Sequence, residues 1–184
     1  IDYLTSAYDS TEASTKSAPT IQSSNVVVSA ITPESGNVSW TNGNGERRII
    51  IGRKGAPVNI DPKDTTYYNS NYFGRGTHLG DGNYVVFKNT GNNILLTQLD
   101  GGTTYHLSVY EFNGNTGPVI LRPGVSTQFT TLGPPIENAI PETNTEITNN
   151  SFHINYTLGS GQKRLVVLRE GNAVNAEPVD NVKY

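Results

Sequence analysis

Three acidic side chains in one long segment are the first residues of this sequence whose types could do chemistry. Asp61, Asp64 and Asp81 could bind Ca²⁺, because carboxylates and loop carbonyls are the ligands that this ion prefers. Neither an EF-hand pattern nor an Asp-x-Asp-x-Asp pattern accompanies them. Turn formation and solvation are the alternative interpretation. Ca²⁺ is therefore the single cofactor that we consider, and no other is expected.

Aromatic side chains crowd the same part of the chain. Flat rings beside Asn and Asp side chains suit the stacking of sugars, so these residues are candidates for ligand binding. They are Tyr67, Tyr68, Tyr72, Phe73 and Tyr84. A less specific use of the same rings is to cover Ile50 on the face of a neighbouring sheet, and we favour this packing role.

The sequence contains no catalytic constellation. His78, His106 and His153 are expected in a loop, on the solvent-facing side of a strand and in a second repeat, which is not the spacing of a metal site. No Gly-x-Ser-x-Gly or other nucleophile context is present. Gly74-Arg75-Gly76 and Gly80-Asp81-Gly82 lack the later glycine and the following helix of a phosphate-binding loop. We therefore expect a protein that is not an enzyme.

Composition argues against several classes of partner. Only 16% of the 184 residues are charged, the formal net charge is −3, and the 13 basic residues form no long run. A nucleic-acid interface needs a basic face, so no such partner is predicted. There is no cysteine for a disulfide or a thiolate site. No window approaches the roughly 20 apolar residues of a membrane span, and no signal peptide is recognisable, so the signal of an exported protein would lie outside this chain.

An internal repeat organises the rest of the sequence. Residues 37–68 return without a gap as residues 153–184, at an offset of 116 residues and with 11 identical pairs. A fixed period of this kind predicts one structural unit copied in tandem. We predict a complete module at residues 19–134, the tail strand of a preceding module or a linker at residues 1–18, and the N-terminal part of the next module at residues 135–184. The chain would then be a piece of a longer protein.

Short strands separated by turn signals account for the complete module. Period-two alternation and β-branched residues predict seven antiparallel strands. They lie at residues 26–31, 37–41, 47–53, 84–88, 93–99, 104–112 and 119–131. The unbroken apolar run Ile49-Ile50-Ile51 requires cover on both faces of its sheet, which we assign to the aromatic residues of segment 61–83. The expected fold is an all-β, antiparallel, seven-stranded β-sandwich.

Trp40 on the predicted second strand and the run Leu99-Asp100-Gly101-Gly102-Thr103-Thr104-Tyr105 together resemble two features of the fibronectin type III domain. That family has a core tryptophan on its second strand and a Leu-x-Pro-Gly-Thr-x-Tyr corner. Trp40 and the run from Leu99 to Tyr105 are similar to these features, with Gly101 in the place of the proline. Ser39-Trp40-Thr41-Asn42-Gly43 and the run from Val109 to Gly114 also look like the long fibronectin-like repeats in secreted and surface proteins of Bacteroidetes. The resemblance covers all but about the first 18 residues.

This resemblance implies a sandwich of the fibronectin type III or immunoglobulin type and a defined core. The core would hold Trp40, Tyr105, Leu99, Leu107 and Val109. Trp40 should contribute most to it. Tyr105 should bury its ring and bond its hydroxyl to nearby backbone, as in a tyrosine corner.

A non-catalytic repeat module of a large exported or cell-surface protein is the function that these features favour, with spacing, display and adhesion as its tasks. Its partners would be neighbouring repeats, and surface glycans or another protein where the module is adhesive. One alternative is a carbohydrate- or protein-binding domain that uses residues 67–84. Another is an accessory domain of a secreted hydrolase.

Overall fold

The computed structural model describes residues 16–179 and 182–184, so most of the predicted tail strand at residues 1–18 lies outside the described residues. The chain divides into unit 1, which ends at Gly133, and unit 2, Pro134–Tyr184. In the part of the chain that is described, the regular elements are all β-strands. No helix there is long and apolar enough to span a membrane.

Unit 1 consists of two antiparallel sheets. Its strands are β1 (Ser24–Ser29), β2 (Gly36–Thr41), β3 (Arg47–Lys54), β4 (His78–Gly80), β5 (Asn83–Asn89), β6 (Asn93–Leu96), β7 (Thr104–Asn113), β8 (Val119–Ile120) and β9 (Val125–Thr130). The smaller sheet has the order β1-β2-β6, and the larger has the order β4-β5-β3-β7-β8, with β9 also paired to β7. The predicted all-β antiparallel sandwich is confirmed.

The predicted count of seven strands is wrong for two physical reasons. Asp81 and Gly82 have φ values of 53° and 76°, which is the backbone of a two-residue hairpin turn. This turn closes an additional hairpin from β4 and β5. β7 is ten residues long, so one part of it pairs with β8 and another with β9, which divides the predicted last strand into two.

The first apolar cluster fills the space between the two sheets. Its members are Val38, Trp40, Ile50, Val86, Leu96, Leu99, Tyr105, Leu107, Val109 and Phe129, and all five core residues named from the sequence are among them. Trp40 packs edge-on against Phe87, with ring centroids 5.1 Å apart. The Tyr105 hydroxyl accepts a hydrogen bond from the N–H of Asp100 at 2.9 Å. Tyr105 therefore forms the expected tyrosine corner.

A second apolar cluster covers the opposite face of the larger sheet. Alternate residues of a strand point to opposite faces, so Ile49 and Ile51 of β3 point away from Ile50. They pack with Tyr68, which lies outside the sheet, with Ile120 of β8 and with further residues of β5 and β7. The prediction that the isoleucine run is covered on both faces is confirmed.

The carboxylate of Glu111 lies at the end of the first cluster and is fully buried. It accepts hydrogen bonds from the Ser23 hydroxyl at 2.5 Å, from the N–H groups of Gly43 at 2.8 Å and Gly45 at 3.0 Å, and from Nε of Arg48 at 2.9 Å. Arg48 stands opposite Glu111 in the β3–β7 register. A buried charge is tolerated when it is paired and its remaining acceptor sites are filled, as here.

Two glycines allow the backbone to approach this carboxylate. A Cβ atom at Gly43 would lie 2.1 Å from the carbonyl oxygen of Ile21, and one at Gly45 would lie 2.6 Å from Oε2 of Glu111. No side chain can replace hydrogen at either position without a shift of the backbone or of the buried ion pair. The turn between β2 and β3 therefore needs glycine for space.

Unit 2 forms a two-stranded antiparallel sheet from β10 (Ile140–Pro141) and β11 (Tyr156–Thr157). The sequence predicts about three strands there. The run Leu165-Val166-Val167, which corresponds to the middle of β3, forms no strand among the described residues. A β-strand is stable when a neighbouring strand is hydrogen-bonded to it. In unit 1, β5 and β7 are the strands that pair with β3.

Several contacts in unit 2 repeat, at the offset of 116 residues, contacts within residues 21–68 of unit 1. The paired residues are Ser24–Thr41 and Ile140–Thr157, then Ser29–Asn37 and Thr145–His153. The repeated hydrogen bonds include Asn44 N–H to Ile21 O and Ser160 N–H to Glu137 O, then Lys63 N–H to Tyr68 Oη and Val179 N–H to Tyr184 Oη. The same local structure therefore occurs twice in this chain.

We expect Glu111→Gln to lower the free energy of unfolding of unit 1 by about 3–5 kcal/mol, because Arg48 would keep a buried charge without a counterion. The double variant Arg48→Met/Glu111→Gln should cost less than the sum of the two single changes, since neither charge remains. Urea unfolding followed by the fluorescence of Trp40 measures these values. Glu46→Gln is the matched control, because Glu46 pairs with Lys16 at the surface, and it should change the midpoint far less. Equal losses at the two glutamates would contradict the assigned role of Glu111.

Candidate functional site

The segment between β3 and β4 is held in place by hydrogen bonds to itself and to β5. Thr77 is its anchor: its N–H donates to the carbonyl of Asn69 at 2.8 Å, and its carbonyl accepts from the N–H of Val85 at 2.9 Å. The Thr77 hydroxyl accepts from the N–H of Asn69 at 2.8 Å. The Tyr68 hydroxyl accepts from the N–H of Lys63 at 2.7 Å. These bonds satisfy backbone groups of a long loop, so its side chains project from a fixed frame.

Three of the five candidate ligand-binding rings are engaged in packing. Tyr68 is only 5% exposed and belongs to the second cluster. Phe73 packs against the first cluster, which contains Ile50, and lies edge-on to Tyr105 and Tyr84 at centroid distances of 4.9 and 5.4 Å. Phe73 therefore packs on the face of the sheet that contains Ile50, whereas Tyr68 packs on the other face.

The remaining two rings, Tyr67 and Tyr72, present large surfaces to solvent. They are 65% and 52% exposed. Nζ of Lys88 lies 4.7 Å from the centroid of the Tyr67 ring, within the range of a cation–π contact. Desolvation, with a contribution from nearby Arg47, lowers the pKa of Lys88. Tyr67 and Tyr72 are therefore the two candidate rings that remain accessible to a ligand.

Two of the three candidate metal ligands fasten the segment to the larger sheet. Asp61 accepts a hydrogen bond from the Tyr110 hydroxyl at 2.7 Å. Burial raises the pKa of that hydroxyl far above its ordinary value, and the hydrogen bond to Asp61 raises it further, so Tyr110 remains the donor. Asp64 accepts two hydrogen bonds from Arg122, both at 3.0 Å. Partial burial by itself raises the pKa of Asp64, but the Arg122 guanidinium and a backbone N–H outweigh it and hold that pKa below its ordinary value.

The third candidate, Asp81, is engaged elsewhere. It accepts hydrogen bonds from Nη2 of Arg53 at 2.9 Å and from Nδ2 of Asn59 at 2.7 Å. Each of the three carboxylates thus has its own partners, and within the described residues no group of three or more His, Cys, Asp or Glu side chains could hold a metal ion. The Ca²⁺ site considered from the sequence is not formed, because these charges are already satisfied by arginine, tyrosine and asparagine.

A shallow groove lies between β5, β6 and the tip of the segment at residues 70–72. Its lining includes Asn71, Tyr72, Lys88, Asn89 and Leu95. Amide and ammonium groups beside a flat ring and an aliphatic wall can hold a sugar ring or an extended peptide. The lining contains no carboxylate, imidazole or thiol.

Sequence reasoning found Tyr72 but missed the residues that complete the groove. Lys88 lies on β5 of the larger sheet, and Leu95 lies on β6 of the smaller sheet. Both residues line the same groove because of how the two sheets pack against each other. The residue pattern of a single strand does not show this packing. The sequence did contain one signal. Leu95 and Leu96 are adjacent in one strand, so their side chains point to opposite faces of the sheet, and only one of them can face the core.

Comparisons with known proteins concern the fold alone. No protein-family model matches the sequence, and no curated protein matches it significantly. A computationally redesigned β-sandwich protein is 22% identical, with a TM-score of 0.42, over 61% of this chain and 95% of that chain. The protein FN3tt is 12% identical, with a TM-score of 0.41, over 64% and 98% of the two chains. An FN3 domain of human collagen XX is 21% identical, with a TM-score of 0.35, over 62% and 100%.

Neighbouring tyrosines provide a matched pair for testing the division between packing and exposed rings. We expect Tyr68→Ala to lower the free energy of unfolding by about 3–5 kcal/mol, because it removes a large buried ring. Tyr67→Ala should cost no more than about 1 kcal/mol, the size of an exposed cation–π contact. Chemical denaturation measures both values. Similar costs for the two variants would show that Tyr68 is not part of a second core.

Proposed function

We propose that this chain is a non-catalytic, fibronectin type III-like module of a repeating series in a large exported or cell-surface protein, where it acts as a spacer and adhesive display unit. The observation that carries the proposal is the recurrence of the first hairpin's register and hydrogen bonds at an offset of 116 residues. In a linear series of this kind each unit adds length, and stability is roughly a sum of unit and neighbour terms.

The engagement of the chemically capable side chains supports a structural role. Asp61 and Asp64 hold the long segment to the larger sheet of unit 1, and Asp81 is paired with Arg53 and Asn59. Tyr68 and Phe73 pack in the two apolar clusters. These residues stabilise a rigid sandwich whose outer loops are available for display. Such a body suits a protein that must place other parts at a distance.

Export and display can be tested on cells of the organism that carries the gene. Antibodies raised against the full chain should label intact cells, because a display module must lie outside the cytoplasm. A cytosolic protein of the same cells serves as the control and should be labelled after permeabilisation alone. If the chain behaves like the cytosolic control, the proposed location and the display role are both wrong.

A second candidate function, binding of a carbohydrate or a peptide, is favoured by the groove beside Tyr72. Tyr72 and Leu95 both line the groove, and they are 52% and 57% exposed. Exposed apolar side chains next to Asn71 and Lys88 combine a stacking surface with hydrogen-bond donors. This arrangement is typical of a recognition surface, and it is compatible with a spacer that also adheres.

We expect Tyr72→Ala to weaken glycan or peptide binding by the full chain at least about tenfold, since a central aromatic anchor carries much of the binding energy of such surfaces. Glycan arrays and peptide libraries measure the effect. Tyr67→Ala is the matched control, because Tyr67 is also more than half exposed but does not line the groove. Failure of every probe to bind, or equal losses in the two variants, would remove the groove as a binding site.

A further inference from the structure

Unit 2 contains an open cavity whose walls correspond to the surroundings of Glu111 in unit 1. Four residues contact the Glu111 carboxylate, and each has a counterpart 116 residues later. The counterparts are Ala139 for Ser23, Gly159 for Gly43, Gly161 for Gly45 and Arg164 for Arg48. All four counterparts line this cavity. The close approach is also repeated, because a Cβ atom at Gly159 would lie 2.3 Å from the carbonyl oxygen of Glu137.

The apolar run beside this cavity is exposed. Leu165, Val166 and Val167 are 49%, 50% and 42% exposed, whereas their counterparts in unit 1, residues 49–51, are at most 1% exposed. In unit 1 the cover comes from β5 and β7, which pair with the two edges of β3. Three adjacent exposed aliphatic side chains with open backbone edges are a surface for strand addition.

The charge at the cavity indicates what would bind there. Among the described residues, the Arg164 guanidinium donates a hydrogen bond to the carbonyl of Gly159 at 3.1 Å and forms no ion pair. Its counterpart Arg48 pairs with Glu111. Arg164 and the N–H groups of Gly159 and Gly161 are therefore suited to a carboxylate at the same position.

We propose that unit 2 binds, by β-strand addition, an antiparallel strand that carries a glutamate between two aromatic residues, the pattern of Tyr110-Glu111-Phe112 in β7. The glutamate would stand opposite Arg164 and accept from the N–H groups of Gly159 and Gly161. Its apolar neighbours along the strand would cover the aliphatic run 165–167. This inference rests on the repeat relation in the proposed function, but it does not depend on export.

The occupant is a β7-type strand of a further polypeptide segment, and not a second copy of this chain. In unit 1, β7 is already paired with β3 on one edge and with β8 and β9 on the other. A second copy therefore offers no free strand of this pattern from its unit 1. The segment that binds must present the pattern on a strand that is not yet part of a sheet.

Binding can be measured with the full chain and a synthetic peptide of the β7 sequence, TYHLSVYEFN, blocked at both ends. We expect saturable binding by fluorescence anisotropy, together with slower amide hydrogen exchange at residues 165–167. The peptide with Gln in place of Glu should bind at least about tenfold more weakly, because it loses the charge-assisted hydrogen bonds. Arg164→Gln in the chain should have the same effect, whereas the control Arg169→Gln, which makes an equal change of net charge outside the cavity, should not.

A gain-of-function variant sharpens the test. Ala139 takes the place of Ser23, whose hydroxyl donates to Glu111 in unit 1. Ala139→Ser should therefore tighten binding of the glutamate peptide roughly tenfold and binding of the glutamine peptide less, because a hydrogen bond to a charged acceptor is the stronger one.

Three outcomes would overturn the proposal. They are no binding by the peptide, binding that is indifferent to the glutamate and to Arg164, and self-association of the chain that Arg164→Gln abolishes. If the free peptide aggregates, the same sequence joined to Tyr184 by a flexible Gly/Ser linker raises its effective concentration and reports through hydrogen exchange at residues 165–167. An intracellular chain that binds the peptide would refute the proposed location while supporting the strand site.

Discussion

The buried carboxylate of Glu111 is the interaction on which the rest of unit 1 depends. It joins parts of the chain that are far apart in sequence: the segment before β1 through Ser23, the turn after β2 through Gly43 and Gly45, and β3 through Arg48. A charge removed from water is costly unless every acceptor site is filled, and these donors fill them. The arrangement therefore tolerates little change in the relative position of β3 and β7.

That constraint sets the register of the larger sheet, and the register sets its faces. With Arg48 opposite Glu111, Ile50 points to the smaller sheet and Ile49 points to the second apolar cluster. A slip of one residue would exchange the two faces and expose apolar side chains. The second apolar cluster also explains why the long segment after β3 is ordered, because Tyr68 of this segment is part of that cluster. Hydrogen bonds to Asp61 and Asp64 tie the neighbouring residues of the segment to the larger sheet. The ring that remains at the groove, Tyr72, is presented by this rigid support.

Unit 2 shows what the same hairpin does without these partners. Its strand register, its glycine approach and its tyrosine hydrogen bond match those of unit 1. The residues that should form its third strand remain exposed, because local hydrogen bonds and turn geometry cannot by themselves bury an aliphatic run. The hairpin is thus a local property of the sequence, whereas the covered sheet is a property of distant strands.

The amino-acid sequence by itself determined the class of fold, most of the strands of unit 1, the core around Trp40 and Tyr105, and the repeat that relates the two units. These features follow from side-chain alternation, turn residues and spacing, which are local or periodic. Only the tertiary structure decided that Glu111 is the partner of Arg48, that Asp61, Asp64 and Asp81 serve three different partners, and that Lys88 and Leu95 share a groove with Tyr72. The physical reason is that these contacts join residues separated by many positions, across strands or between sheets, and their formation depends on packing that no pattern within a single strand encodes.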